Sequence, residues 1–337
     1  MLDSLGNEIN RNNAIIFRAT EVPVLLDCPR KWYFSSHNGM NLEPKVQDHK
    51  LSIGTIWHEA LENYYANNMN YQEAKKAMDE CYDKEVEKVH ESLGDEIFEE
   101  EKKKLEEGKD ILDALLEIYP DWARNTEPSD AGFEVVAVEE RLLMPIGTAN
   151  GETIYIACKI DGLVKQGDFY WILEHKTRSK SDKVDSPDNL VLDVQMTLQI
   201  ICTRLYLQQV LGVDSSKLVG VIYNLARKQK PSSRVKNPIF GRHVVRRNRQ
   251  ELMRFLEMFR NYVVPQYRAI TNKLSQYYFT IPYNPQLQGK CSWGCSFTNP
   301  CEAICRGEDV EISLTTSFKK RDKDIFETLE EEMRGEI

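Results

Sequence analysis

Between Ile154 and Thr177 the chain reads IYIACKIDGLVKQGDFYWILEHKT, two strand-like runs on either side of Gln166-Gly167-Asp168. Gly-Asp at the two central positions of a tight hairpin turn makes the pairing symmetric about the midpoint of residues 167 and 168. That register sets Asp161 directly across from Glu174, with Cβ atoms ~4.5–5.5 Å apart, and like charges so placed are destabilising without a counter-charge. A divalent cation supplies one. Alternation keeps Lys176 on the Glu174 face and turns the His175 side chain away, leaving the His175 backbone carbonyl available as a further ligand. Carboxylate and carbonyl oxygens are hard donors that suit Mg²⁺ or Mn²⁺. The alternative is an exposed hairpin on which Asp, Glu and Lys are merely neighbours, as happens where an antiparallel sheet has one wet face.

Asp161 followed by Glu174-His175-Lys176 resembles the D…ExK signature of the PD-(D/E)XK nucleases, and the surroundings resemble the RecB-like branch of that superfamily. In that branch an upstream helix carries a histidine in a G-x-x-x-H context, met here by Gly54 and His58. The resemblance makes His58 a metal ligand together with Asp161, Glu174 and the His175 carbonyl. The branch also has a Q-x-x-x-Y motif on the helix after the hairpin. Gln195 matches its first position, Gln199 stands where the tyrosine would be, and Tyr206 is too distant to substitute. The resemblance thus gives a catalytic set of Asp161, Glu174, Lys176 and Gln195, with Gln195 orienting the attacking water or Lys176. It implies phosphodiester hydrolysis leaving a 5′-phosphate and a 3′-hydroxyl, in which Lys176 would position the water and offset developing negative charge.

The chain has eight cysteines. The first segment, MLDSLGNEINRNNAIIF, lacks a basic start followed by an apolar run, and no stretch approaches the ~18 apolar residues of a membrane span. That points to the cytoplasm, the host's if the protein is phage-encoded, where disulfides are unlikely and metal ligation or burial is the better reading. Cys81, Cys158 and Cys202 stand alone in apolar or helical contexts and read as small buried hydrophobes. Cys28, in CPRKWYF, and Cys291, Cys295 and Cys301 near the other end resemble a subgroup of RecB-like nucleases. There, one cysteine before the core and three after it bind a [4Fe–4S] cluster that fastens the two ends together. Here three residues, not the commoner two, separate Cys291 from Cys295, and Cys305 is an alternative to Cys301. Four thiolates also suit a structural Zn²⁺, but zinc sites usually show paired C-x-x-C knuckles, which are lacking.

These sites need elements to position them. Ala19–Ser35 reads as a short helix carrying Cys28, and a second helix opens near Gly54 with Trp57, Leu61 and Tyr64 at helical spacing. Tyr71–Ala123 is helix-forming and rich in Glu and Lys, its charges a solvated face. Strand character runs through 133–146, 153–163 and 170–173. Helix is expected at 192–211, strand at 217–224 and helix again at 249–274. The order predicts an α/β fold, a mixed-sheet core flanked by helices; the resemblance makes it restriction-endonuclease-like. The expected divisions are an N-terminal segment 1–50, a nuclease core 51–280 with a helical insertion at about 68–127, a cluster-binding segment 281–306, and a polar tail 307–337.

A net charge of −9 argues mildly against a protein that coats nucleic acid. Yet 227–249, RKQKPSSRVKNPIFGRHVVRRNR, is rich in Arg and Lys and has no Asp or Glu. Arg227, Lys228, Lys230, Arg234, Lys236, Arg242, Arg246 and Arg247 are therefore expected to contact DNA phosphates, the alternative being a solvated loop that balances the acidic helices. Phe240, Tyr223 and His243 are candidates for base stacking, although aromatics so placed are more often core. The function expected is a metal-dependent DNA nuclease, an exonuclease at DNA ends or single strands in recombination, repair or phage DNA metabolism. A strand-annealing protein or a helicase is the class of protein partner. Two alternatives stay open: a non-catalytic iron–sulfur DNA-binding subunit, and a nuclease of CRISPR spacer acquisition.

Overall fold

The computed structural model describes residues 1–45, 49–92, 95–179, 190–232, 238–273, 280–284, 291 and 294–335. Its centre is a six-stranded mixed sheet. Strand β4 (Glu152–Gln166) is the axis. Along one side it pairs first with β1 (Ala14–Arg18), in parallel, and further on with β5 (Phe169–Arg178), antiparallel; along the other lies β3 (Glu134–Ala149), antiparallel. From β5 the sheet continues to β6 (Leu218–Arg227), parallel, and then to β7 (Phe240–Val245), antiparallel.

Turn chemistry fixes both hairpins. Gln166 pairs with Phe169 across Gly167-Asp168, and Gly162 pairs with Leu173, the symmetric register expected from the sequence. Asp161 and Glu174 follow at the end of that run. The β3–β4 hairpin turns at Asn150-Gly151, both left-handed at φ 53° and 86°, the combination that a tight turn matched to strand twist demands.

One face is covered by α3 (His49–Ala66) and the helical insertion α4 (Tyr71–Ser92) and α5 (Asp95–Arg124). The stripe Trp57, Leu61 and Tyr64 is buried against Leu112, Leu115 and Tyr119 of α5 and Leu173 and Phe240 of the sheet. The other face is covered by α6 (Val194–Gln209), capped by the Asp193 carboxylate accepting from the Met196 N–H. It is also covered by α7 (Arg249–Met258) and α8 (Val264–Lys273), joined through a π-helical turn at Phe259–Val263. Leu198, Cys202 and Phe259 pack there on Ile154, Ile156 and Cys158.

Three expectations change. The single helix at 19–35 is two, α1 (Glu21–Asp27) and α2 (Pro29–Ser35), broken at Cys28, whose backbone is extended at φ −151° and ψ 102°. Pro29 disfavours a helical residue before it, so the thiol stands at a joint. Residues 1–50 are not a segment apart, because β1 is a strand of the core sheet. The polar tail is not an appendage. Its first helix, α10 (Val310–Ser317), follows α9 (Thr298–Arg306), and strand β8 (Phe318–Lys320) pairs with β2 (Leu42–Pro44). The last helix, α11 (Ile325–Arg334), packs Ile325 and Leu329 on Ile9, Ile16, Leu143 and Tyr155. Charges at the exposed positions of α11 hid an amphipathic stripe.

Candidate active site

The carboxylates converge where strand alternation fails. Ile160 and Leu163 share one apolar cluster with Met196 and Ile200 of α6, although strict period two would put them on opposite faces. Asp161 lies in that slip. Across on β3, Glu139 sits between the pairs Val138–Gly162 and Glu140–Ile160 with φ 53°. Such a backbone in a non-glycine residue costs ~1–3 kcal/mol and persists where the surroundings impose it, typically at functional sites. One ligand atom each from His58, Glu139 and Asp161 lies within 4.8 Å of the others, and His58 Nδ1 is 3.5 Å from Asp161 Oδ2. Glu139 is the residue that reading the sequence missed.

Glu174, 1% exposed, faces α6. Its Oε1 accepts from Gln195 Nε2 at 3.2 Å and pairs with Lys176; its Oε2 accepts from Gln199 Nε2 at 2.7 Å. Gln199 Nε2 also donates to the Lys159 carbonyl at 3.2 Å. The structure thus places Gln195 on Glu174, and gives Gln199 the same task. Asp161 Oδ2 accepts from the His175 N–H at 2.6 Å, and the His175 backbone is also hydrogen-bonded to His58. The His175 ring points the other way, as alternation predicts, and stacks on Tyr65 at 5.4 Å.

Electrostatics give the group its character. Burial, then the neighbouring Glu174 charge, pushes the Asp161 carboxyl up to about 8. Burial and the Lys176 charge lower His58 to about 4, leaving the neutral imidazole that ligates metals. Burial works against the Lys176 ammonium, but Glu174 and Asp161 override it and hold its pKa above the ordinary value. An oxygen-rich group with one neutral imidazole fits a hard divalent cation, whose charge would relieve the strained ionisation of Asp161.

Behind this site runs a buried polar network. Tyr65 Oη donates to Asp130 Oδ2 at 2.8 Å, and Asp130 Oδ1 meets Arg242 Nη2 at 2.9 Å with both side chains 0% exposed. Arg242 Nε donates to Asn224 Oδ1 at 2.8 Å, and its Nη1 donates to the carbonyls of Ala123 and Thr126 at 3.2 Å, and of Pro128. Arg242 is therefore structural, not a DNA contact. Arg227 is buried at 2% exposure. Arg247, 6% exposed, donates to Thr197 Oγ1 and the Leu190 carbonyl at 3.0 Å. A guanidinium's several donors suit it to such carbonyl-rich interiors, which charge counting along a sequence cannot reveal. Lys230 pairs with Asp110 at 2.9 Å, and Arg246 lies over the Trp171 ring at 5.6 Å. Lys228 donates its backbone N–H to the Arg178 carbonyl, while Arg234 and Lys236 lie outside the described residues. Phe240 and Tyr223 are core, at 7% and 4% exposure.

Cys28 from one end of the chain lies near cysteines from the other. Burial raises the Cys295 thiol, with added pushes from Cys28 and Cys291. Burial raises Cys301 to about 11 against the opposing charge and hydrogen bond of Arg30, with Cys295 and Cys28 adding to the rise. Cys28 and Cys295 therefore lie within electrostatic range of Cys301, and Cys28 and Cys291 within range of Cys295. Cys305 is exposed and hydrogen-bonds Tyr283 instead. Cys81, Cys158 and Cys202 are buried, as expected.

A mixed sheet flanked by helices, carrying an Asp–Glu–His group beside a lysine paired to a buried glutamate, is a restriction-endonuclease-like fold with a group that suits a divalent cation. The chain belongs to the PD-(D/E)XK nuclease superfamily, whose family model matches residues 18–302. It is therefore a metal-dependent nuclease with DNA as its substrate class. No curated protein matches it. Among solved structures, the crystal structure of SSO0001 is 15% identical, covering 88% of this chain and 90% of that one with a TM-score of 0.30, too loose a likeness to add to the family assignment. Among the described residues, no helix is long and apolar enough to cross a membrane.

Proposed function

We propose that the protein is a DNA exonuclease of the RecB-like branch, degrading ends or single strands in recombination, repair or phage DNA metabolism, with a [4Fe–4S] cluster on Cys28, Cys291, Cys295 and Cys301. The observation that carries the catalytic reading is the compact group of His58, Glu139 and Asp161, with Glu174 and Lys176 on the adjoining strand. His58, Glu139 and Asp161 would hold a Mg²⁺ or Mn²⁺ ion, which would supply a Lewis acid for the phosphate and charge stabilisation for the leaving oxygen. Lys176 offers an ammonium that positions the attacking water and offsets developing negative charge. Gln195 and Gln199 fix both oxygens of Glu174, and the His175 N–H fixes Asp161. The nearness of Cys28 to Cys295 and Cys301, and of Cys291 to Cys295, supports the clamp, whose binding would contribute folding free energy directly.

The test is anaerobic purification, a visible spectrum, and incubation with end-labelled single- and double-stranded DNA with Mn²⁺ or with EDTA. Broad absorbance near ~400 nm and metal-dependent loss of label from the ends are expected, and both Glu139→Gln and Lys176→Ala should abolish cleavage while preserving the fold. A brown protein that binds DNA and never cuts it would sink the nuclease reading; internal cuts on circular DNA would sink the exonuclease one.

A further inference from the structure

Outside the ligand group, a cavity of about 300 Å³ opens against the β3–β4 face, lined among others by Arg18, Arg141, Lys159 and Gln195, with Glu332 of α11 at its wall. Gln195 joins it to the catalytic residues, since the same amide donates to Glu174. The strands order its charges. Arg141 pairs directly with Lys159, one alternation step from Glu139 and Asp161, and Leu143 with Ala157 one step further, where Ala157 also pairs with Arg18. Period two keeps these residues on the face that α11 covers, so a carboxylate row is followed by two cations and then a third.

Two cations directly opposite on neighbouring strands are destabilising unless an anion lies between them. Each of the three has a carboxylate of another element nearby: Glu332 on Arg18 at 2.9 Å, Glu139 on Lys159, and Glu62 of α3 close to both Arg141 and Lys159. The Arg18–Glu332 pair is about one-fifth exposed on both sides, open enough to exchange with an incoming anion.

We propose that this cavity is a subsite for a backbone phosphate of the DNA strand next to the scissile bond, bound by Arg18, Arg141 and Lys159, with Glu332 of α11 holding Arg18 until that phosphate arrives. It deepens the nuclease reading and rests on it for the identity of the ligand. The C-terminal helix then acts as a competitor for the substrate strand: its carboxylate and a phosphate oxygen offer the same guanidinium an equivalent charge-assisted hydrogen bond.

The test is anisotropy of a fluorescein-labelled oligothymidine with the full-length protein in EDTA, titrated across NaCl concentrations. Arg18→Gln and Arg141→Gln should each weaken binding and flatten the slope of log Kd against log salt by ~0.7, the value for one lost contact to a single strand. Glu332→Gln should tighten binding about two- to five-fold by releasing an exposed pair, and Arg18→Lys should restore most of the slope, which a folding defect would not allow. Unchanged slopes in both Gln variants would overturn the subsite. A 5′-phosphate and a 5′-hydroxyl strand should bind alike; a preference lost in Arg18→Gln would replace the backbone phosphate with a terminal one. None of these readouts needs cleavage. Altered slopes in a protein that never cuts keep the subsite and sink the nuclease, and normal cleavage with unaltered slopes does the reverse.

Discussion

Replacing Gln199 by Leu isolates the hold of α6 on Glu174. Gln199 is 1% exposed, and its Nε2 makes the 2.7 Å bond to Glu174 Oε2 and the 3.2 Å bond to the Lys159 carbonyl. Leucine is close in volume, so packing is retained while both donors vanish. A hydrogen bond to a charged group contributes a net ~1.5–3 kcal/mol, which at 1.4 kcal/mol per decade corresponds to ~10- to 150-fold. Loss of a residue that orients a metal-site carboxylate generally costs ~10–100-fold in metal affinity or activity, in agreement. The expected result is a Mn²⁺ midpoint for cleavage, and a calorimetric Mn²⁺ affinity without DNA, weakened within that range, with a melting temperature a few degrees lower because the same bonds are lost from the metal-free fold. Gln195→Leu should do less, because its bond is 3.2 Å long and Lys176 shares the same oxygen. A Gln199→Leu protein with wild-type metal affinity and rate would refute the idea that α6 orients Glu174.

Further outcomes follow from the same structure. Asp161, at about 8 instead of 3.8, disfavours folding once ionised. Without metal the protein should therefore lose stability as pH rises from about 4 to about 8, and the melting-temperature gain from Mn²⁺ should grow over that window; a gain independent of pH would contradict it. Asp130→Asn leaves the fully buried Arg242 charge without its partner, and a loss of ~3–5 kcal/mol is expected in denaturant unfolding. Cys28→Ser should lower iron content and visible absorbance, whereas Cys305→Ser, at an exposed thiol bonded to Tyr283, should change neither. Equal losses in both variants would move the fourth ligand to Cys305.

The hairpin register was legible in the sequence because a two-residue turn admits one symmetric pairing: Gly167-Asp168 fixed β4 against β5 as far as Gly162–Leu173, and alternation put Lys176 beside Glu174, whereas the slip in β4 that groups Asp161 with His58 and Glu139 was not legible. Periodicity likewise gave α3, with His58 beside the Trp57 stripe, and α6, with Gln195 on it. Glu139 shows where such counting stops. Asn150-Gly151 is an equally good turn signal, and symmetric counting from it sets Glu140, not Glu139, opposite Asp161. A bulge between Pro145 and Gly147 shifts the β3–β4 register by one, and one residue's slip exchanges every side chain between the faces. No local propensity announces that bulge; it is settled by packing on both sides of the sheet. The basic stretch shows the same limit. Composition marked Arg227, Arg242 and Arg247 as cations, but their burial is decided by segments distant in sequence, as when Arg247 reaches Thr197 and Leu190 and Arg242 reaches Pro128 and Asp130. Sequence alone determined which chemistry is present, since that depends on residue type and short-range geometry. Tertiary structure decided which groups share a site, because long-range register and burial are cooperative properties of the whole packed chain.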